Sequence, residues 1–198
     1  MNHKAIDLGA NAFVKIDVPA SWADAADTPD PAVEGDRPAL VKMVRDILTP
    51  VDKMDGDSLP VSAFVDHADG TFELGASAYE KRGVAVTVPR WDAEKCIQCN
   101  KCAFVCPHAT IRPFALTDAE RKDAPAAAKS APFKAGAGKG KYQFAMAVSP
   151  LDCMGCGVCI GECPTGAIQM VPREEESEQE AVWDYMVGKV EPKKELVG

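Results

Sequence analysis

The stretch Cys96-Ile97-Gln98-Cys99-Asn100-Lys101-Cys102-Ala103-Phe104-Val105-Cys106-Pro107 decides the fold. Cys153-Met154-Gly155-Cys156-Gly157-Val158-Cys159-Ile160-Gly161-Glu162-Cys163-Pro164 repeats its spacing. One constant shift lays Cys96, Cys99, Cys102, Cys106, Pro107 and Ile111 on Cys153, Cys156, Cys159, Cys163, Pro164 and Ile168. Ala103 becomes Ile160 and His108 becomes Thr165, so the copies differ while the cysteine spacing is kept. The run C-x2-C-x2-C-x3-C-P is a [4Fe–4S] pattern, and in two-cluster proteins the fourth Cys of each run serves the other cluster. Three thiolates at three-residue intervals come from a loop curled round one face of a cubane. The fourth starts a helical turn directed at the neighbouring cluster. The expected ligand sets are therefore Cys96, Cys99, Cys102 and Cys163 for one cluster, and Cys153, Cys156, Cys159 and Cys106 for the other. Such crossing makes each cluster a staple between the copies and couples metal binding to folding.

All 8 cysteines fall in these two runs. Disulfides fit poorly, because the first sixteen residues lack the charged-then-apolar pattern of a secretion signal. Zinc takes paired C-x2-C knuckles, and four thiolates close a structural site. Each run here carries a third C-x2 step beyond what two knuckles need, which favours iron–sulfur. Pro107 and Pro164 end the ligand loops by fixing φ and removing a donor. Gly155 and Gly157 let backbone approach sulfide closely. Gln98 and Asn100 stand at those places in the first copy. N–H groups in these loops can bond cluster sulfurs and raise the potential, so the two environments should differ.

The remaining composition restricts the function further. At 198 residues the chain suffices for one or two small domains. The net charge of −8 argues against a nucleic-acid binder, which needs a basic footprint. No apolar run is long enough to span a bilayer, and the chain reads as soluble and cytoplasmic. There is no Ser–His–Asp set, pair of catalytic carboxylates or phosphate-binding G-x-x-x-x-G-K-[ST] loop. The chain thus offers redox centres and no substrate site of its own. His3 and His67 have no ligand partners at useful spacing, His108 reads as an exposed loop histidine, and Trp91 as packing. The formal charge is +2 over residues 90–114 and −2 over 149–171. The Cys96-run cluster is therefore expected at the higher potential.

Each copy reads as strand, ligand loop, helical turn and exit strand. In the first these are Val84 to Val88, the loop, Ala103 to Val105, and Ala109 to Arg112. In the second they are Phe144 to Val148, the loop, Val158 to Gly161, and Ile168 to Val171. Thr117 to Lys141, rich in Ala, Lys, Gly and Pro, reads as a mobile insertion or solvated surface loop. Its lysines are a candidate dock for an acidic electron carrier. Upstream, a helix within Met1 to Pro19 is followed by a strand, Phe13 to Val18. An acidic, Pro-rich linker runs from Asp24 to Pro38. A helix over 38–48 puts Leu40, Val44, Ile47 and Leu48 on one face, with Asp36 near its start. Glu174 to Lys189 is a helix whose early acids suit its dipole, with Val182, Tyr185 and Met186 as its buried stripe.

Around the clusters the residues resemble a known family. Tyr79-Glu80-Lys81-Arg82-Gly83-Val84-Ala85, Trp91-Asp92, Cys96-Ile97-Gln98-Cys99-Asn100 and Cys102-Ala103-Phe104-Val105-Cys106-Pro107-His108 resemble the ferredoxin-like domain of pyruvate:ferredoxin (flavodoxin) oxidoreductase. Leu59-Pro60-Val61-Ser62-Ala63-Phe64 and Asp69-Gly70-Thr71-Phe72 resemble the segment leading into it. Met1 to Trp22, ending Val18-Pro19-Ala20-Ser21-Trp22, resembles the tail of the preceding domain. In that family a thiamine diphosphate-bound intermediate from pyruvate and coenzyme A gives up electrons singly through three [4Fe–4S] clusters, two of them in this domain. The resemblance implies an intramolecular relay to external ferredoxin or flavodoxin, in an enzyme that is a homodimer. Thiamine diphosphate and the third cluster would lie in other parts, so the chain is expected to be a fragment or one piece of a split assembly. A free-standing dicluster ferredoxin is the alternative, a zinc-stapled interaction module a third reading, and clusters that only hold the fold a fourth.

The expected fold class is α+β, a ferredoxin-like dicluster domain with a pseudo-twofold repeat and a long insertion. Residues 1–23 would be the tail of a preceding domain and 24–82 a bridging linker. Residues 83–172 would form the two-cluster domain, with an insertion at 115–141, and 173–198 a C-terminal helix and tail.

Overall fold

Two antiparallel sheets frame the ligand loops, one of two strands and one of three, each pairing a strand next to the first cysteine run with a strand next to the second. The computed structural model describes residues 2–26, 32–134 and 136–196. The chain divides into two units, residues 1–74 and 75–198.

In the first unit, α1 (Asn2–Asn11) is helical as expected, with every described residue exposed. Phe13 to Val18 forms no strand and is exposed, since no neighbouring strand pairs with it. Part of the acidic linker, 27–31, lies outside the described residues. The helix expected over 38–48 runs on as α2 (Pro38–Met43), a π-helical turn (Val44–Leu48) and α3 (Thr49–Asp52). Pro50 explains the π turn. It has no N–H and its ring crowds the carbonyl four residues back, so the preceding turn widens and Thr49 N–H bonds Val44 O. Leu40, Met43, Val44 and Ile47 are buried and Leu48 only partly so. Asp36 is not the cap; Arg37 occupies that position without a side-chain capping bond, and Pro38 at N1 presets φ.

The second unit begins its first sheet with β1 (Thr87–Trp91). The strand expected at Val84 to Val88 thus lies further on, and Val84 and Val86 are exposed. The reason is its partner, which ends at Pro172, opposite Thr87. After the first ligand loop come α4 (Lys101–Phe104), β2 (Ile111–Leu116), α5 (Asp118–Asp123) and β3 (Ala131–Pro132). β4 (Gln143–Val148) leads to the second ligand loop, α6 (Val158–Gly161), β5 (Ile168–Pro172) and α7 (Gln179–Lys189). β1 pairs with β5, and the other sheet has the order β2-β4-β3. Exit strand β2 starts at Ile111 instead of Ala109 because Ala109 has φ 52°, a left-handed value that breaks a strand. Gly166 likewise has φ 63° before β5.

Both sheets admit a proline for the same reason. Ladder bonds flank β1 at Val86 O, from Arg173 N–H, and at Asp92 N–H, to Ala167 O, so Pro89 opposite Met170 stands at a non-bonded position. Pro113 opposite Met146 does the same, as Ser149 N–H bonds Thr110 O at the ladder's end.

Strand periodicity sorts the core. Phe144, Met146 and Val148 of β4 join Trp91, Ile111 and Ile168 around the buried cysteines. Ala145 and Ala147, on the other face, pack with Leu116, Val182, Trp183 and Met186. Trp91 is packing as expected, edge-on to Phe144 at 6.0 Å between ring centroids. The helix placed at Glu174 begins only at Gln179. Arg173–Glu176 is a 3-10 turn whose Glu176 and Glu175 are bound by Arg90. Trp183, not Tyr185, completes its buried stripe.

Thr117 to Lys141 is not the solvated loop that composition suggests. Thr117 and Glu120 close a capping box on α5, Thr117 Oγ1 accepting from Glu120 N–H at 3.2 Å and Glu120 Oε2 from Thr117 N–H at 2.7 Å. Ala128 is buried against the α7 core, β3 extends the β4 sheet, and Phe133 meets Phe144 edge-on.

Candidate metal centres

Each ligand loop is shaped by residues in the left-handed region. Gln98 (φ 63°) and Asn100 (φ 60°) in the first loop match Gly155 (φ 67°) and Gly157 (φ 75°) in the second. The two copies thus share one backbone path despite different side chains. Asn100 and Gly157 cap α4 and α6, so the third cysteine of each run, Cys102 or Cys159, sits in the first turn and is buried. Cys99 and Cys156 are exposed. At Gly155 a Cβ would stand 3.2 Å from Thr87 O and 3.3 Å from Ala85 Cβ, so with its left-handed φ this position strains any side chain. Gln98 is free of that crowding and uses its amide instead. Its Nε2 donates to Pro132 O at 2.9 Å and its Oε1 accepts from Lys134 N–H at 2.8 Å, and Lys134 Nζ donates to Cys96 O.

The cysteines gather in crossed sets. Cys96, Cys99, Cys102 and Cys163 line one small cavity. Cys153, Cys156, Cys159 and Cys106 line another of similar size. His108 also borders the second cavity and is exposed. Trp91 and Met146 wall the first, Pro89 and Met170 the second, so apolar surface surrounds both sets.

Backbone donors meet the sulfurs in matched fashion. Cys96 Sγ accepts from Gln98 N–H at 3.3 Å and Cys153 Sγ from Gly155 N–H at 3.4 Å. Cys106 Sγ accepts from Thr110 N–H at 3.3 Å and Cys163 Sγ from Ala167 N–H at 3.2 Å. Burial pushes the Cys102 and Cys159 thiols up to about 11 and raises Cys153. At Cys106 and Cys163 burial also acts upward, but hydrogen bonds outweigh it and the net shift is downward. The opposing donors are the Thr110 hydroxyl and nearby N–H groups for Cys106, and the Thr165 and Ala167 N–H groups, with the more distant Thr165 hydroxyl, for Cys163. Each set therefore combines a thiol whose charged form burial disfavours and a fourth cysteine whose charged form hydrogen bonds favour.

These donor sets fit [4Fe–4S] clusters: four sulfurs around an apolar cavity, with N–H groups directed at sulfur. Trp91, whose Nε1 is buried without a protein partner, is among the residues that line the first cavity. Among the described residues, no three His, Cys, Asp or Glu side chains are grouped to hold a single metal ion.

Residues 95–167 match the 4Fe-4S dicluster domain family, and residues 26–85 match a family described as a domain of unknown function. The pyruvate-flavodoxin oxidoreductase of Enterobacter agglomerans is 46% identical over 187 residues, 93% of this chain and 15% of that protein. That of Klebsiella pneumoniae is 44% identical over the same shares. The pyruvate:ferredoxin oxidoreductase of Moorella thermoacetica is 45% identical over 179 residues, 88% of this chain and 14% of that protein. Over this stretch the chain is similar to pyruvate-flavodoxin and pyruvate:ferredoxin oxidoreductases. It spans about 15% of the length of the Enterobacter and Klebsiella relatives, and the part it matches contains the dicluster domain. No helix among the described residues is long and apolar enough to cross a membrane.

Sequence reasoning missed three residues near the ligand loops. Lys81 holds Asp152, the neighbour of Cys153; Gln98 ties the first ligand loop to Pro132 and Lys134; Thr110 places a hydroxyl 3.4 Å from Cys106 Sγ. Only Thr110 carried a signal, since the repeat alignment sets it against Ala167.

Proposed function

We propose that this chain is the two-cluster electron relay of a pyruvate (2-oxo acid):ferredoxin/flavodoxin oxidoreductase. One observation carries the reading: each cavity takes three cysteines from one run and the fourth from the other. Cys96, Cys99, Cys102 and Cys163 hold one [4Fe–4S] cluster, and Cys153, Cys156, Cys159 and Cys106 the other. Bound there, each cluster takes up and gives back one electron at a time. The chain's own residues bring the two sets together, keep bulk water from the buried cysteines and direct N–H groups at sulfur.

A pseudo-twofold relation between the copies belongs to this reading. The shift that lays Cys96 on Cys153 also carries Trp91 onto Val148 and Ile111 onto Ile168. Trp91 pairs with Ile168 in one sheet and Val148 with Ile111 in the other, so both ladders keep one register. The segment 115–141 is an insertion between the copies. Thiamine diphosphate and a third cluster are assigned to other parts of the enzyme. External ferredoxin or flavodoxin is the acceptor, the whole enzyme is a homodimer, and its place is the cytoplasm.

Anaerobic purification followed by iron, zinc and sulfide analysis and by electron paramagnetic resonance after dithionite reduction tests the reading. The expected result is about eight iron and eight sulfide per chain, with spin-coupled reduced signals. Zinc without sulfide would overturn it.

A further inference from the structure

Two residues hold equivalent places in the two copies, and one carries a hydroxyl and a methyl that the other lacks: Thr110 and Ala167. Thr110 N–H donates to Cys106 Sγ at 3.3 Å, and Thr110 O accepts from Ser149 N–H at 2.9 Å. In the other copy Ala167 N–H donates to Cys163 Sγ at 3.2 Å, and Ala167 O accepts from Asp92 N–H at 2.8 Å. The backbone arrangement is thus the same, fixed on one side by the ladder and on the other by sulfur. Thr110 is 3% exposed, and its Oγ1 stands 3.4 Å from Cys106 Sγ. Ala167 offers nothing in its place. The nearest hydroxyl to Cys163, that of Thr165, is 3.9 Å away at an exposed position.

A thiolate only accepts hydrogen bonds, so beside a ligated Cys106 the Thr110 hydroxyl is the donor. A buried hydroxyl without a partner is costly, which keeps this bond made. Added electron density on a cluster spreads to its ligand sulfurs, and a donor there favours the reduced form. Low local dielectric strengthens the effect.

We infer that Thr110 is a potential-setting residue: its hydroxyl, donated to Cys106 Sγ, raises the potential of the second cluster relative to the first, where Ala167 supplies no such donor. The inference rests on the two-cluster reading of Proposed function. It works against the charge asymmetry, which favours an electron on the first cluster. The hydroxyl thereby narrows the gap between two neighbouring centres, as reversible transfer between them requires.

The test is an anaerobic redox titration, followed by electron paramagnetic resonance, of the wild-type protein, Thr110→Val, Thr110→Ala and Thr110→Ser. Iron and sulfide content, measured first on each, separates failure of the two-cluster reading from failure of this inference. Thr110→Val keeps the shape and loses the hydroxyl. At a fixed potential its second cluster should show a reduced-to-oxidised ratio at least threefold lower than wild type, with the first cluster unchanged. Thr110→Ser should restore the wild-type ratio, which a role in packing alone would not predict. An unchanged second cluster in Thr110→Val, or an equal shift at both clusters, overturns the inference. It also falls if Val and Ala variants lose the second cluster while Ser keeps it, since the hydroxyl would then serve to hold the cluster.

Discussion

Lys81 Nζ stands 2.7 Å from Asp152 Oδ2, joining a residue far upstream of both cysteine runs to the one that immediately precedes Cys153. Ser149 Oγ donates to the same carboxylate oxygen at 2.6 Å, and Glu180 on α7 lies 2.9 Å from the ammonium. Burial acts to lower the Lys81 pKa, but hydrogen bonds to Asp152 and Glu180 outweigh it and hold it above the usual lysine value. The three side chains are 23%, 30% and 23% exposed, so Lys81→Met leaves two partly buried carboxylates without their cation. A fully buried pair broken this way costs about 3–5 kcal/mol; partial exposure reduces the expected loss to about 1–3 kcal/mol. Anaerobic denaturant unfolding of the cluster-loaded protein measures it. A raised pKa means the stabilisation is complete below the unfolded-state value near about 10.4 and fades only above it. The deficit of Lys81→Met should therefore be flat between pH 6 and 9. A stability within about 0.5 kcal/mol of wild type would refute the assignment.

Gln98 makes a different kind of tie, because two bonds from one amide fix the residues on either side of Phe133 to the first ligand loop. Gln98→Gly tests it cleanly. Glycine accepts the left-handed φ of this position without strain, while both side-chain bonds are lost. A net hydrogen bond is worth about 0.5–1.5 kcal/mol, so the Lys134 amide should exchange with solvent about fivefold faster or more. Amides of β4 away from Phe133 should exchange as before. Unaltered Lys134 exchange would show that the pairing of β3 with β4 alone fixes this segment.

Local rules carried much of the architecture into the sequence. The cysteine spacing, the α6 turn and β4 all stand where periodicity and motif put them, because neighbours in sequence determine them. Features set by a distant partner were not legible. β1 begins at Thr87 because β5 ends at Pro172, and no feature of Val84 or Val86 announces it. Composition misled at Thr117 to Lys141, where alanine, glycine and lysine mask a Thr117–Glu120 capping box that the sequence does spell out. In α7 the buried stripe turns on Trp183, with Arg112 5.1 Å from its ring, while Tyr185 reaches instead for Glu120 O at 2.7 Å. The crossing of the cysteine sets followed from the motif, whereas Lys81 and Gln98 act through contacts that only the folded chain creates.

Glu120 should make this unit sensitive to acid. Burial acts to raise its pKa, but the Lys193 ammonium, the Thr117 N–H and hydroxyl and the Glu191 N–H outweigh it and bring it down to about 2. Its side chain is 16% exposed and the Lys193 contact is 2.7 Å. A depressed carboxylate pKa contributes stability that is complete above the unfolded-state value near about 4.3 and is lost as pH falls towards the folded value. The shift corresponds to on the order of 2–3 kcal/mol. Glu120→Gln should therefore melt at a lower temperature than wild type by a constant margin between pH 5.5 and 8. Below about pH 4.3 the margin should shrink. A margin that grows on acidification would reverse the sign and remove Glu120 from the account.

Crossed ligation has a consequence that simple pairing within each run does not share. Cys106 lines the cavity of Cys153, Cys156 and Cys159, although it lies in sequence with Cys96, Cys99 and Cys102. Removing it should therefore damage the second cluster and spare the first. The comparison needs no prior assignment of spectra: Cys106→Ala should leave the same surviving paramagnetic signal as Cys156→Ala. Cys163→Ala should match Cys99→Ala in the same way. Each variant should retain about four iron per chain if its remaining cluster is stable alone, and the spin coupling of the reduced wild type should vanish in all four. If each cluster holds both runs, all four should also lose thermal stability, because metal binding would then be part of the folding free energy. If Cys106→Ala instead matches Cys99→Ala, each run ligates its own cluster and the crossed assignment is wrong.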